Sequence, residues 1–537
     1  MTETCKSLQT IKIAKAKAIS RELSHIQNMG SPPYISLIGD SLVDRGQYKP
    51  AHKVWGETHT REGLDLSSNK GHNVPKLFCL NVMGHLTIIL SCCQVHQTVE
   101  LTMAKSYKMY LGGKWVDRKN KIRVESPYDD SLVANVAAAS KEDYIKAIQI
   151  ADETFKITRD LPCYKREETC RAVAAGLEKN IDKIGKAMAL ELGKALKDAK
   201  GEVARAIGVF KIAAEEAKRV GGEIIDLDWA PGSEERIGLV RRFPKGVIAG
   251  ISPFNFPLNL VAHKVAPAIA SGNTIVLKPA SKTPISALLL AELIDKTDHP
   301  KGAVSILPGS SRDSSPLLDD PRVKMITFTG SSEVGWWIKE HCGRKEVVLE
   351  LGGNAGVAVA DDADLGYATT RLVYGAFAVA GQSCISVQRI YVHERVYDPF
   401  IKLLKVKSAK FKIGDPLDPE TDIGTMVDAQ AVENTLATIA DAVKGGAKIL
   451  IGGKARGRTL EPTILTNVKA SMDVCSKEAF APLAVLFKYR DFKKVVDEIN
   501  NSEYGLQAGI FTNRLKDIFY AFKHIECGGV VVNDIPT

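Results

Sequence analysis

No Cys-x-x-Cys pair occurs in this 537-residue sequence, although it holds ten cysteines. Without paired spacing, neither a disulfide framework nor a zinc site is indicated, so no metal is expected. A reducing compartment with mostly buried thiols is the simpler expectation. Clean apolar runs of membrane-spanning length, about 20 residues, are also missing. Leu77–Cys93 comes nearest, but it is short and interrupted by Asn81, Gly84 and His85. No membrane partner is expected. An excess of one charge sign is slight: the formal net charge is +9, with basic and acidic residues interspersed. That excludes the basic stripe of a nucleic-acid-binding surface and leaves a bias toward anionic cofactors or substrates. The basic start (Lys6, Lys12, Lys15, Lys17, Arg21) loosely resembles a transit peptide but no cleavage signature follows, and with the reducing compartment a cytoplasmic location is expected.

What is present is an ordinary globular composition, 45% hydrophobic and 25% charged, in a chain long enough for two or three domains. Residues 1–102 read differently from the rest. They contain six of the eleven histidines and four of the ten cysteines, without helical or strand periodicity. From Met103 onward helix and strand patterns alternate, which implies an α/β fold. Tyr107–Trp115 reads as a hairpin turning at Leu111-Gly112-Gly113-Lys114. Ser140-Lys141-Glu142-Asp143 opens a helix as a capping box with an acidic partner. Long helices are predicted over Lys165–Glu191 and Lys197–Val220. Ile224–Asp228 and Arg236–Arg242 read as two strands joined through Pro231-Gly232. Short strands follow at Gly246–Ile251, Thr274–Leu277 and Met325–Phe328.

Three phrases carry chemistry. Cys384 lies in Ala380-Gly381-Gln382-Ser383-Cys384-Ile385, where small residues allow backbone and substrate to approach. A thiolate attacks carbonyls, and a turn or helix start there is expected to lower the thiol pKa. Glu350 ends the apolar run Val347-Val348-Leu349 and precedes Leu351-Gly352-Gly353, 34 residues upstream of Cys384. A carboxylate at the end of a buried strand is expected to have its pKa raised, which suits a general base. Asn255 sits in Ser252-Pro253-Phe254-Asn255-Phe256-Pro257, where two prolines hold a carboxamide rigid as an oxyanion donor. Weaker signals follow. Lys278-Pro279-Ala280-Ser281 stands at the carboxyl end of a strand, where α/β sheets bind ligands. Phe328-Thr329-Gly330-Ser331 opens a helix whose amino terminus can take a pyrophosphate. Taken singly, each residue also has an ordinary structural reading: a core cysteine, a capping glutamate, a turn asparagine, solvated charges at Lys278 and Glu478.

In this order the three phrases resemble the aldehyde dehydrogenase superfamily. Glu461-Pro462-Thr463, Glu503-Tyr504-Gly505-Leu506 and Gly528-Gly529-Val530 also fit, so the resemblance covers residues 103–537. It implies an NAD- or NADP-dependent oxidation of an aldehyde to the free acid through a cysteine thiohemiacetal and thioester. Cys384 would be the nucleophile, Asn255 would hold the oxyanion with the backbone N–H of Cys384, and Glu350 would activate the deacylating water. It places Lys278 on the adenosine ribose, Gly330 and Ser331 near the diphosphate, and Glu478 and Phe480 beside the nicotinamide ribose. Ser252, Phe254 and Leu351 complete the cofactor contacts. NAD-preferring relatives often carry a glutamate where this chain has Ser281, and Lys278 and Lys282 add positive charge, so NADP is expected to be tolerated or preferred. The run Gln382–Arg389 resembles the branch acting on lactaldehyde, glyceraldehyde 3-phosphate or similar short aldehydes.

The resemblance also implies a Rossmann-type dinucleotide-binding domain over residues 103–221 and 244–349 and an oligomerisation ribbon over 222–243. A catalytic domain would span 350–527, with the start of a C-terminal segment over 528–537, and the family's usual assembly is a homodimer or homotetramer. Residues 1–102 match nothing in that family; an unrelated extension, an alternative translation start and a mis-assigned exon all remain open. Relatives continue beyond the position of Thr537, so lower stability or altered assembly is expected. Two other readings stand beside the leading one. A coenzyme A-acylating semialdehyde dehydrogenase is disfavoured by Glu350. A catalytically silent structural or binding homologue would bind cofactor without turnover.

Overall fold

The computed structural model describes residues 105–537. The 1–102 segment, its basic start and the Leu77–Cys93 run lie outside the described residues. Two seven-stranded, mostly parallel sheets organise the chain. The first runs in the order Glu346–Glu350, Val323–Thr329, Val247–Ile251, Thr274–Lys278, Val304–Ile306, Met109–Leu111, Lys114–Val116. Its first five strands are parallel. Met109–Leu111 joins antiparallel and returns as a hairpin through Gly112 and Gly113. Both glycines have positive φ (56° and 81°), the conformation a tight hairpin turn requires and glycine adopts without strain.

The second sheet runs Lys448–Ile451, Thr463–Thr466, Leu483–Tyr489, Val387–His393, Ala355–Val359, Gln507–Phe511, Gly529–Val532. Only its first pair is antiparallel. Parallel strands buried on both faces need continuous apolar sequence. Val247–Ala249 and Thr274–Lys278 in the first sheet and Ala355–Val359 in the second supply it and are buried throughout. Each sheet has its own core. Helices Cys163–Lys179, Leu196–Glu216, Asn259–Ala270 and Ile285–Asp295 pack on the first. Leu365–Phe377, Tyr397–Ser408 and Ala429–Lys444 pack on the second. The first sheet keeps Glu350 as its last paired residue, so the chain passes between sheets through Leu351–Asn354.

The capping box at Ser140 forms as read: its hydroxyl accepts from the Asp143 N–H while the Asp143 carboxylate accepts from the Ser140 N–H. The helix expected over Lys165–Glu191 is two helices, Cys163–Lys179 and Ile181–Leu192. Asn180 breaks it by turning its Nδ2 back onto the Gly176 carbonyl, 2.8 Å away. No glycine or proline marks that break, so periodicity runs through it. Gly222–Asp226 and Ile237–Arg241 pair as a two-stranded antiparallel ribbon. Ile224, Trp229, Ile237, Leu239 and Phe243 are exposed on or beside it. Among the described residues no helix is long and apolar enough to cross a membrane.

Candidate active site

The three chemical phrases converge where the sheets meet. Asn255 is buried, and its Nδ2 donates to the carbonyl of Gln382, two residues before Cys384, at 3.1 Å. The Gln382 side chain faces the other way and accepts from the Val427 N–H at 2.9 Å. Gly353 is pressed against the same loop. A Cβ built on it would stand 2.0 Å from the Cys384 carbonyl oxygen, a separation no side chain tolerates. Gly381 lies equally close to the Ala481 carbonyl, and with φ +66° it admits only glycine comfortably. Val379 and Ala380 precede it with φ of 55° and 53°, so three successive left-handed residues deliver the Cys384 turn. A β-branched residue in that region is strained.

Cys384 is partly accessible. Its thiol is pushed up to about 11, first by burial, then by the charge of Glu478 and next by that of Glu350. This overturns the expectation that the turn would lower it: the two carboxylates and desolvation outweigh the loop's own backbone contribution. Glu350 also departs from its expected setting. Its strand is the edge of the first sheet with alternating exposure, and its side chain is exposed, so the expected burial is absent. The more enclosed carboxylate of the two is the half-buried Glu478, which desolvation raises to about 7. It accepts a hydrogen bond from the Gly353 N–H at 2.9 Å. A Cβ on Gly352 would meet its Oε2 at 2.3 Å, so the double glycine is the room that this carboxylate fills.

Most of the expected cofactor residues fall at the carboxyl ends of the first sheet's strands, while Glu478 and Phe480 precede Leu483–Tyr489 of the second. Lys278 ends the Thr274–Lys278 strand, and burial alone pulls its ammonium below the usual lysine range. Ser252 follows Val247–Ile251; its N–H donates to the Lys278 carbonyl at 3.1 Å, and its hydroxyl oxygen is buried without a hydrogen-bond partner. Ser281 donates its hydroxyl to the Gly309 carbonyl at 3.0 Å. Gly330 donates its N–H to the Glu350 carbonyl at 3.0 Å. Ser331 caps the helix Ser332–His341, accepting from the Val334 N–H. Leu351 packs against Gly335 of that helix. Phe254 and Phe480 meet edge to face at 5.8 Å, and Phe480 holds a positive φ of 45°. Lys282 is engaged by Asp428, which reduces the free positive charge the sequence suggested there. An orphaned hydroxyl, a buried ammonium and a helix amino terminus, all at the carboxyl ends of one sheet's strands, fit a dinucleotide. Among the described residues no group of three or more His, Cys, Asp or Glu side chains is placed to hold a metal ion.

Four buried groups escaped the sequence reading. Lys264 donates to Thr329 Oγ1 at 2.6 Å, and burial lowers it to about 8 against the attraction of Glu350. Lys194 and Glu202 form a fully buried ion pair beside the Asn255 loop. Glu191 is buried and accepts from the Ile285 and Ser286 N–H groups. Lys264 stands at helical spacing within an apolar run, the one sequence signal any of them gave.

The aldehyde dehydrogenase family model matches residues 115–537. A 3-sulfolactaldehyde dehydrogenase from Priestia aryabhattai is 42% identical over 435 residues, covering 81% of this chain and 91% of the relative. Among solved structures, aldehyde dehydrogenase 21 from Physcomitrella patens in complex with the reaction product succinate aligns with TM-score 0.80. It is 43% identical, and the match covers 81% of this chain and 91% of that one. The glyceraldehyde-3-phosphate dehydrogenase GapN from Methanocaldococcus jannaschii, complexed with NADP, aligns with TM-score 0.74 at 36% identity, over 78% and 91% of the two chains. With the family model matched over most of the chain and these relatives in agreement, the chain belongs to the aldehyde dehydrogenase family of NAD(P)-dependent oxidoreductases acting on the aldehyde group.

Proposed function

We propose that this chain oxidises a short aldehyde bearing an anionic group to the free carboxylic acid, with Cys384 as nucleophile. The observation that carries the reading is the hydrogen bond from Asn255 Nδ2 to the carbonyl of Gln382, which holds a rigid carboxamide donor against the loop of a partly accessible thiol. The Cys384 sulfur adds to the carbonyl carbon, and the oxyanion turns to the Asn255 NH₂ and the Cys384 backbone N–H. NAD(P), when bound, would supply the acceptor for the hydride that leaves the same carbon. The acyl group is left as a thioester on Cys384. Glu350, exposed and able to reach water, takes a proton from the attacking water, and hydrolysis returns the thiol and releases the acid. Glu350 is also why the acyl group is assigned to water rather than to coenzyme A.

Lys278, Ser252 and Ser281 would hold the adenosine end of the cofactor. Gly330 and Ser331 would take the diphosphate, and Glu478 with Phe480, Phe254 and Leu351 would bound the nicotinamide end. A serine at 281 has no charge with which to repel a 2′-phosphate, which favours acceptance of NADP.

Arg205 supports the anionic substrate class. It is exposed, its guanidinium lies 5.8 Å from the Phe256 ring beside Asn255, and its charge acts on the Cys384 thiol. The sulfonate in the name of one relative and the succinate bound to another are of the same class. The exposed apolar ribbon around Ile224, Trp229 and Leu239 supports assembly into a homodimer or homotetramer.

The test is a panel of neutral, carboxylated, sulfonated and phosphorylated short aldehydes, with aromatic ones for contrast, assayed with NADP and NAD. Cys384→Ala is expected to abolish turnover, and Arg205→Met to raise KM at least tenfold for the anionic members alone. Turnover surviving in Cys384→Ala, or a preference for neutral aldehydes unchanged in Arg205→Met, would refute the reading.

A further inference from the structure

We propose that the buried Lys194–Glu202 ion pair is a positioning device for Asn255, setting the carboxamide at the place where the oxyanion forms. This rests on the oxyanion role given to Asn255 above. Lys194 Nζ donates to Glu202 Oε2 and to the backbone carbonyl of Asn255, the latter at 2.7 Å. It lies 4.0 Å from the ring centroid of Phe256. The second oxygen of Glu202 accepts from the Leu258 and Asn259 N–H groups, each at 2.9 Å. One ion pair therefore grips both ends of the turn Asn255–Asn259. The side chains are 0% and 1% exposed, so water does not compete for these bonds.

The lysine is itself held in register with the cysteine loop. Gly193 turns the chain with φ +74°, and its carbonyl accepts from the Thr425 N–H at 3.1 Å. A Cβ on Gly193 would stand 1.9 Å from Thr425 Oγ1, and one on Gly424 would stand 1.8 Å from the Gly193 carbonyl oxygen. Two residues beyond Thr425, Val427 donates to the Gln382 side chain. Lys194 thus spans from the Asn255 carbonyl to the segment that braces Gln382, whose own carbonyl receives the Asn255 amide.

A buried ion pair is no strong source of stability, since desolvation offsets much of the attraction, while loss of one partner strands the other charge. What this pair secures is the backbone of one loop, and a displacement of about 1 Å in a catalytic donor can cost on the order of a hundredfold in rate.

The test is a mutant cycle in the full chain. It uses Asn255→Ala, the neutral pair Lys194→Met with Glu202→Gln, and the three changes together, measuring kcat, cofactor KM and melting midpoint with an aldehyde that turns over. Asn255→Ala should lower kcat roughly a hundredfold, the scale of a lost oxyanion donor. The neutral pair should lower kcat on the order of tenfold to a hundredfold with little change in cofactor KM. In the Asn255→Ala background the neutral pair should cost little further, because two changes acting through one group are not additive. An equal loss in both backgrounds means a general structural role and overturns the proposal, as does an undiminished kcat in the neutral pair. An undiminished kcat in Asn255→Ala instead removes the oxyanion reading and the positioning role with it. If the neutral pair does not fold, Lys194→Arg carries the same cycle, since it keeps the charge while replacing the single ammonium contact on the Asn255 carbonyl; the same outcomes decide.

Discussion

Glu478 accepts the N–H of Gly353 while Gly353 itself lies against the Cys384 carbonyl, so one glycine joins this half-buried carboxylate to the thiol loop. Of the charges acting on the Cys384 thiol, that of Glu478 is the largest, ahead of Glu350. Replacing it should make the thiol more acidic. Glu478→Gln is expected to speed alkylation of Cys384 by iodoacetamide at pH 8 by about threefold to tenfold, since each unit of pKa is a tenfold change in thiolate at fixed pH. Glu350→Gln should act in the same direction and less. Mass spectrometry of the Cys384 peptide against time measures both, and an unchanged rate in Glu478→Gln would contradict the electrostatic ordering.

Glu350→Gln should separate the two halves of the reaction. Acylation needs the thiol and the oxyanion donors, whereas deacylation needs a base for water. The variant is expected to release about one equivalent of NAD(P)H per active site in a burst, with steady-state turnover slowed on the order of a hundredfold or more. Rapid-mixing absorbance at the reduced-nicotinamide band measures it. A steady-state rate equal to that of the parent chain would remove Glu350 from the deacylating role.

Ser281 hydrogen-bonds the Gly309 carbonyl and carries no charge, and Lys282 is already engaged by Asp428. Acceptance of NADP, as proposed, would therefore depend on the absence of repulsion more than on attraction. Ser281→Glu should lower kcat/KM for NADP at least tenfold and change that for NAD far less, through like-charge repulsion of the 2′-phosphate. Initial rates with both cofactors settle it; an unchanged NADP:NAD ratio would count against this placement.

Glu191 is fully buried and raised to about 7, chiefly by desolvation and further by the charge of Glu202, against hydrogen bonds that favour its ionised form. Its folded pKa lies above its unfolded value of 4.5. The stability it contributes is therefore complete below about pH 4.5 and is lost as pH rises through about 7. Up to about 3 kcal/mol is at stake, at 1.36 kcal/mol per unit. Glu191→Gln, which keeps an acceptor for the Ile285 and Ser286 N–H groups, should flatten the fall in melting temperature between pH 5 and 8. Parallel slopes for variant and parent would place the titration elsewhere.

The hairpin at Gly112-Gly113, the capping box at Ser140 and the alternation of short apolar strands with helices were all legible in the sequence. Each is set by neighbours a few residues apart: a glycine pair that accepts positive φ, a hydroxyl three residues from a carboxylate, apolar runs bounded by glycine and proline. The phrases around Asn255, Glu350 and Cys384 were equally visible, because close approach of backbones leaves a local mark of glycine and proline. Their environments were not visible. Glu350 was read into a buried strand, yet Glu346–Glu350 pairs on one side only, so its exposure follows from the order of strands in the sheet. The Cys384 thiol is raised rather than lowered because the fold buries it and because Glu478, 94 residues away in sequence, folds against Gly352 and Gly353. Glu191 and Glu202 look like solvated helix charges in a linear pattern, and Lys194 like one in the turn between their helices; only packing against the Asn255 and Ile285 turns buries them. Local conformation depends on near neighbours, while desolvation and charge coupling depend on which distant segments share a space, and that is decided by the tertiary fold.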